Sequence, residues 1–178
     1  MPRLSDTRAR VFCIGAALAA TIGVFTPADA AQPVQGASAA DYTTAHVSAP
    51  YAERLVVATK REHREIQKIG LHVTLPPHGD HVIIASDIPS KIGKRSSPAD
   101  MTVVTSGKPS AVRQDKGSFW DMALPIADAK GGDIGGGLLI LEIPFAYAQT
   151  QAEALQKATA IRDELQRQIP DTEALFKS

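Results

Sequence analysis

Apolar residues recur along the chain with two different periods, and these periods predict helices flanking a group of strands. In residues 50–69 they return every three or four positions, which predicts a helix that Gly70 ends. Residues 149–169 repeat this pattern and predict a C-terminal helix. Between them, Ser97 is a suitable N-cap for a short helix that begins at Pro98.

Alternation of apolar and polar residues predicts the strands. The predicted strands are residues 71–75, 81–86, 110–114, 120–126 and 135–145, of which the first two form a hairpin. Neighbouring strands joined by short turns favour antiparallel pairing, and helices outside the strand run favour an α+β fold. We therefore expect a five-stranded antiparallel sheet with a long N-terminal helix, a short helix after strand 2 and a C-terminal helix.

The first thirty residues have the layout of a secretory signal. A basic start is followed by an uncharged run of 15 residues, 11–25, and then by small residues at Ala28 and Ala30. That run is shorter than the roughly 20 residues that span a bilayer. We expect residues 1–30 to be removed, residues 31–49 to form a flexible leader, and residues 50–178 to fold as one domain of a periplasmic or secreted protein. The single cysteine, Cys13, would leave with the signal, so the exported protein would be cysteine-free.

Charge and motifs narrow the function. The chain has 19 basic and 19 acidic side chains, whereas a nucleic-acid-binding domain normally carries a basic excess. The glycine-rich residues 131–137 fit a hairpin turn better than a phosphate loop, because a strand pattern follows them. Asp121 and Glu142 lie in apolar strands, so a shifted pKa is expected for either. Without a nucleophile motif, the sequence predicts no catalytic activity and no cofactor.

A basic loop is the main candidate for ligand binding. Lys91, Lys94 and Arg95 lie close to the start of the predicted short helix, an arrangement that suits an anion, and the alternative is a solvated basic loop. Trp120 either stacks on a ligand or fills the core, and its alternation favours the core. His72 points away from the apolar face of its strand, so it is either a hydrogen-bonding group of a pocket or exposed.

A second candidate is a weak metal site in the turn of the first hairpin. His78, Asp80 and His81 are close in sequence and have side chains that ligate metals. A solvated turn is the alternative, because no fourth ligand is evident.

Several short motifs together resemble the extracytoplasmic PAS-like sensor modules called Cache domains. They are the stretch from Ser86 to Asp100 with its Ile92-Gly93 corner, the strand segment 120–128, and the Ile134-Gly135 pair. The resemblance covers about residues 50–146. It implies a PAS-like antiparallel sheet whose open face, capped by loops and the short helix, holds a small molecule such as an amino acid or a short carboxylate. With the basic loop, it gives these candidate ligand-binding residues: His72, Asp87, Lys91, Lys94, Arg95, Trp120 and Met122.

The chain departs from that family in two respects. Cache domains usually sit between transmembrane helices that drive a cytoplasmic signalling module, and neither is evident here. The amino-acid-binding signature of the two-module branch, Tyr and Arg with a Trp-Tyr pair, is also absent. We therefore expect a free-standing module that works with a partner such as a membrane sensor protein, or as a homodimer through helices 50–69 or 149–169.

The function predicted from the sequence is an exported, sensor-type domain that binds a small anionic or carboxylate metabolite. One alternative is a protein-interaction module, which would fill its sheet face with Trp120 and Met122 and lack a cavity of the roughly 300 Å³ that a ligand site needs. The other alternative is weak metal binding.

Overall fold

The structure, a computed structural model, describes residues 45–77 and 79–178. Its elements are α1 (Pro50–Glu62), β1 (Lys68–Thr74), β2 (His81–Ser86), α2 (Pro98–Ser106), β3 (Ser110–Gln114), β4 (Phe119–Pro125), β5 (Leu138–Pro144) and α3 (Gln151–Gln166). Single turns of 3₁₀ helix occur at Pro89–Lys91 and Glu173–Phe176. All strand pairs are antiparallel, in the order β2-β1-β5-β4-β3. The α+β class and the five-stranded antiparallel sheet are confirmed.

One face of the sheet carries the hydrophobic core. Trp120, Met122 and Leu124 alternate along β4 and are buried, because side chains of one parity lie on one face of a strand. The helices α1 and α3 pack on this face with residues such as Leu55 and Ile161. The apolar stripes of both helices are therefore buried within the chain. Only their outer faces remain for the predicted homodimer, which stays a prediction.

The opposite face of the sheet carries most of the polar side chains. Register places Lys68 and Asp121 on either side of Glu142, and His72 beside Leu138. The helix α2 and the loop between β2 and α2 cover this face. The same pleat that buries Met122 among the helices thus turns Asp121 towards α2.

The predicted first helix is too long by seven residues at its C-terminal end, since α1 ends at Glu62 rather than at residue 69. Ile66 and Ile69 fit the helical spacing, but Ile69 is buried in β1 opposite Leu141. Gly70 is not a helix stop; it lies in β1 opposite Ile140. Sheet pairing and burial override the local helical pattern here.

The other helices agree closely with the prediction. Ser97 caps α2 through a capping box with Asp100, and Gly107 ends it in a left-handed conformation. Thr150 and Glu153 form an equivalent box at α3. The glycine-rich segment forms turns that lead into the strand β5 rather than into a helix, as expected, and the carbonyl of Gly135 accepts a hydrogen bond from the backbone N–H of Thr74.

The predicted leader overlaps the domain. Residues 45–49 pack on the fold, with Ala49 buried and the backbone N–H of Ala45 donating to Gly93. The predicted signal with Cys13, and residues 31–44 of the leader, lie outside the described residues. Within the described ranges, no helix combines the length and apolar character needed to cross a membrane.

Candidate functional site

A cavity of about 240 Å³ lies on the polar face of the sheet, beneath α2 and the loop that precedes it. Strands β1, β2, β4 and β5 supply its floor, while the 3₁₀ turn and the start of α2 supply its other wall. The lining residues are Lys68, Ile69, Gly70, His72, Ile83, Ser86, Lys91, Ser97, Asp100, Asp121 and Ile140. The cavity thus combines a few apolar side chains with a high density of charged and hydrogen-bonding groups.

Some charged side chains on the cavity wall form ion pairs and others do not. Lys68 forms an ion pair with Glu142, whose side chain is buried and also accepts a hydrogen bond from Gln67. Among the described residues, no carboxylate lies within 4.0 Å of the Lys91 ammonium. Asp100 and Asp121 likewise form no ion pair there. Two carboxylates and one lysine are therefore left without a counter-ion.

The pKa of Asp121 is raised above its ordinary value. Burial is the largest cause, and the negative charges of Glu142 and Asp100 add to it, while Lys68 opposes it. The shift expected for a carboxylate in this apolar strand is thereby confirmed for Asp121. A cation placed beside this side chain would relieve the unfavourable environment of the ionised form.

A hydrogen-bonded chain of three side chains, His72, Ser96 and His81, begins at the cavity wall with His72. The Ser96 hydroxyl lies 2.8 Å from His72 Nδ1 and 2.7 Å from His81 Nδ1, and His81 Nε2 lies 2.9 Å from the carbonyl oxygen of Gly136. His72 is only 5% exposed, and its burial lowers the pKa of the imidazole to about 4, although Asp100 acts in the opposite direction. His72 is therefore neutral at pH 7.

The cavity contains two of the seven residues predicted to bind a ligand. His72 and Lys91 line it. Asp87 instead accepts a hydrogen bond from the backbone of Ile69 and pairs with Lys60. Lys94 and Arg95 are not on the wall, and Arg95 pairs with Asp80 at 2.8 Å. The basic loop is thus divided, and only its first lysine reaches the cavity.

Trp120 and Met122 are on the wrong face of the sheet for contact with this cavity. Trp120 is 6% exposed, donates from Nε1 to the carbonyl of Ala148 and packs edge-on against Phe145. Met122 is completely buried on the same side. The prediction that they contact a ligand on the open face is wrong, whereas the interpretation of Trp120 as a core residue is correct.

Of the three residues predicted to bind a metal, the two that the structure describes, Asp80 and His81, already have other partners. His78 lies outside the described residues. Asp80 pairs with Arg95, and both ring nitrogens of His81 have hydrogen-bond partners. Across residues 45–77 and 79–178, no three His, Cys, Asp or Glu side chains are grouped to hold a metal ion.

Sequence reasoning missed Lys68, Asp100 and Asp121 as cavity residues. Side chains alternate along β4, so Asp121 lies on the face of the sheet that Trp120 does not occupy, and the sequence alone predicts this. Asp100 was recognised only as a residue of the first turn of α2. No local pattern shows that α2 packs over β4 and β5.

A larger cleft of about 700 Å³ lies elsewhere on the surface, lined in part by Val47, Leu75, Pro76 and Phe176. Four polar residues, His46, Ser48, Thr172 and Glu173, also line it, against seven in the smaller cavity, and none of the seven predicted ligand-binding residues is among them. The smaller cavity is the better candidate, because small-molecule sites need converging polar groups as well as volume.

Comparison with known proteins identifies no family. No family model matches the chain, and neither does any curated protein. Among solved structures, a putative GAF sensor protein from Burkholderia vietnamiensis has 15% identity and a TM-score of 0.47, with coverage of 69% of this chain and 76% of that one. The C-terminal domain of the E. coli transcriptional regulator KdgR has 16% identity and a TM-score of 0.42, with coverage of 71% and 97%. A type II free methionine-R-sulfoxide reductase from Thermoplasma acidophilum has 12% identity and a TM-score of 0.39, with coverage of 67% and 92%. Similarities this low carry no functional argument.

Proposed function

We propose that this protein is a sensor-type domain that binds a small metabolite in the cavity between the polar face of the sheet and α2. The observation that carries the proposal is the concentration of charged groups without an ion-pair partner in one cavity, while the other face of the same sheet is filled by apolar side chains. Polar groups that converge on a cavity are the usual mark of a ligand site. At about 240 Å³ the cavity lies below the roughly 300 Å³ expected of a site for a drug-sized molecule, so it suits a smaller ligand.

Lys91 supports a carboxylate on this ligand. It is a lysine of the cavity wall with no carboxylate partner among the described residues. The anionic group predicted from the basic loop is therefore retained in the proposal with one cation, Lys91, rather than three. Such a site favours a single carboxylate over a polyanion.

Export and a partner complete the proposal. The support for export is the signal-like layout of residues 1–30, which makes the periplasm or the cell exterior the proposed location. A sensor outside the cytoplasm needs a second protein to convey occupancy, so we include a membrane sensor protein as the partner. The Cache-like motifs favour the same arrangement.

The test is thermal unfolding of the purified chain in the presence of small carboxylates, amino acids and amines. A ligand present at a hundred times its dissociation constant adds about 2.7 kcal/mol to the free energy of unfolding. For a domain of this size, that raises the melting temperature by roughly 2–4 °C per kcal/mol. Binding of at least one compound class is the expected result.

A variant that fills the cavity locates the binding. A Cβ atom at Gly70 would lie 3.5 Å from His72 Nε2 and 3.7 Å from the carbonyl of Ala85, which is ordinary contact. Gly70→Val is therefore expected to fold and to occupy the cavity, which abolishes the thermal shift. As a control, Val112→Leu adds bulk on the same face of the sheet, but in β3 at a position that is 50% exposed and outside the cavity. This variant should bind normally. Undiminished binding by Gly70→Val would contradict the proposed site.

A protein-docking module is the second candidate. It is favoured by the modest volume of the cavity and by the packing of Trp120 and Met122 in the core. If no compound of any class raises the melting temperature, the small-molecule proposal fails and this candidate replaces it.

A further inference from the structure

The chain covers one edge of its sheet and leaves the other uncovered. At the β2 edge, the N–H groups of Gly93 and Ser96 donate to the carbonyl oxygens of Ile83 and His81, and Ile83 donates to Lys94. The loop between β2 and α2 therefore pairs with β2 much as a further strand would. β3 lies at the opposite edge, and within residues 45–77 and 79–178 no segment pairs with its outer side. An exposed strand edge of this kind is a template for pairing with another chain.

The backbone groups that β3 leaves unpaired follow from the hydrogen bonding of the neighbouring strands. Phe145 N–H donates to the carbonyl oxygen of Ser118, and this pair continues the register of β4 with β5. Successive residues of a central antiparallel strand bond alternately to its two neighbours, so the even-numbered residues of β4 bond to β5 and the odd-numbered residues bond to β3. Val112 is opposite an odd-numbered residue and bonds to β4. Ala111 and Arg113 therefore direct their N–H and C=O groups away from the sheet.

Side chains leave most of this edge accessible. Among the described residues, the one side-chain bond to these outward groups runs from Gln151 Nε2 to the carbonyl oxygen of Ala111. A carbonyl oxygen has two lone pairs, so this bond does not prevent a second one. The guanidinium of Arg113 is folded back over the ring of Phe145, 4.1 Å from its centroid. Val112 is 50% exposed beside the edge, which thus offers main-chain groups together with an apolar side chain.

A second copy of β3 can pair with this edge in a register that its side chains select. An added antiparallel strand must bring its own outward groups opposite those of Ala111 and Arg113. Arg113 opposite Arg113 of the second copy would bring two guanidinium groups together, which is unfavourable. Ala111 opposite Ala111 would place Arg113 opposite Pro109, which has no N–H to donate. Ala111 opposite Arg113 avoids both faults and brings the exposed Val112 side chains of the two copies into contact.

We propose that two copies of this chain associate through antiparallel pairing of their β3 strands, with Ala111 of each copy opposite Arg113 of the other. A second copy fits because the exposed valine meets its own equivalent and each arginine faces an alanine. The chain has 19 basic and 19 acidic side chains, so net charge does not keep two copies apart.

The strength of this association follows from the length of the strand. β3 has five residues, and pairing of so short a strand buries less than the roughly 1,200 Å² of a stable interface. The dimer is therefore weak and depends on concentration. Its interface is separate from the outer faces of α1 and α3, and it exists whether or not the cavity binds a ligand.

Sedimentation velocity of the purified chain over a range of concentrations tests the association. The wild type should show a reversible equilibrium between monomer and dimer. In Val112→Lys two ammonium groups would lie opposite each other at the centre of the pairing, so the dimer should be lost. Val57→Lys makes the same change at a valine of α1 that is also 50% exposed, and should dimerise like the wild type.

Two results of this experiment would overturn the proposal. One is a wild-type chain that stays monomeric at every concentration. The other is a dimer that Val57→Lys abolishes and Val112→Lys does not, which would assign the interface to the outer face of α1. Circular dichroism of both variants checks that the fold is kept, as their exposed positions lead us to expect.

A disulfide bond tests the register directly. Val112 opposite Val112 is a pair without mutual hydrogen bonds, and the Cα atoms of such pairs lie about 4.5 Å apart, a distance that a disulfide can span. Cys13 is the only cysteine of the chain, so Cys13→Ser provides a background without thiols. In that background Val112→Cys should form a covalent dimer on mild oxidation much faster than Val57→Cys. Equal rates of cross-linking at the two positions would contradict the pairing of β3.

A proline variant tests the main-chain bonds without relying on a charge. Ala111→Pro removes an N–H that faces outwards, a position at which an edge strand tolerates proline, and keeps the hydrogen bonds between β3 and β4. Its dimer should be lost, while the folded monomer remains. A dimer of wild-type strength in Ala111→Pro would show that the copies do not associate through this edge.

Discussion

His72 links the interior of the sheet to the acid sensitivity of the fold. An unfolded histidine titrates near pH 6.5, whereas burial lowers the pKa of His72 in the folded protein to about 4. Between these values the unfolded chain takes up a proton that the folded protein does not. The free energy of unfolding should therefore decrease as the pH falls through this window, by up to about 3 kcal/mol from this group.

Urea unfolding at pH 7, 5.5 and 4 measures that loss. In His72→Gln this part of the pH dependence should be missing, even if the variant is less stable at pH 7 because its contact with Ser96 has changed. The slope of stability against pH, rather than its level, is the diagnostic quantity. An unchanged slope would show that His72 is not held neutral by burial.

Asp121 changes the pH dependence of stability in the direction opposite to that of His72. Its pKa is raised, so the folded protein binds this proton more tightly than the unfolded chain, and stability is lost as the pH rises through the folded value. Asp121→Asn should therefore melt at a higher temperature than the wild type at pH 7. The difference should shrink in acid, where both side chains are neutral. A lower melting temperature at pH 7 would mean that the ionised carboxylate is stabilised by the fold.

The sequence predicts those residues of the candidate site whose position depends on local features of the chain. His72 and Lys91 were identified from strand alternation and from a basic loop, both of which are local features. Asp87 and Arg95 belong to the same loop, but distant partners, Ile69 and Asp80, take up their polar atoms. Such pairing depends on tertiary geometry and is invisible to a pattern within one segment.

At the scale of elements, the two capping boxes allow stability and binding to be separated. Ser97→Ala and Thr150→Ala each remove a side-chain acceptor from a helix N-terminus, at α2 and α3 respectively. Each should cost about 1 kcal/mol of stability. Of these two helices only α2 covers the cavity, so only Ser97→Ala should also weaken ligand binding. Denaturant titration and calorimetry of the pair give both quantities, and equal losses of affinity would contradict the placement of the site.

Elements were predicted well where one signal dominated. The ends of α2 are determined by contacts within a few residues: the capping box of Ser97 and Asp100 at its start and the left-handed Gly107 at its end. The end of α1 was misplaced because Ile66 and Ile69 satisfy helical spacing, while the strand pattern of β1 overlaps the same positions. Burial of Ile69 between neighbouring strands decides that competition, and it is a property of the assembled sheet.

For the whole molecule, the two faces of the sheet have separate roles. Met122 is fully buried on the helix side, so Met122→Ala should lower stability by about 2–5 kcal/mol. Affinity measured on the folded protein should remain unchanged, because the cavity lies on the other side of β4. Gly70→Val should show the reverse, with binding lost and the fold kept. Loss of affinity in Met122→Ala at a temperature where it is folded would show that the faces are coupled.

The hydrogen-bond chain through Ser96 couples the two histidine rings. Because Ser96 has one hydroxyl proton, it accepts from one Nδ1 and donates to the other, so His72 and His81 cannot change their donor and acceptor roles independently. The carbonyl oxygen of Gly136 holds the proton of neutral His81 on Nε2, and through Ser96 it places the proton of neutral His72 on Nδ1. A backbone carbonyl in the turn before β5 thus determines whether the ring at the cavity wall offers an acceptor or a donor.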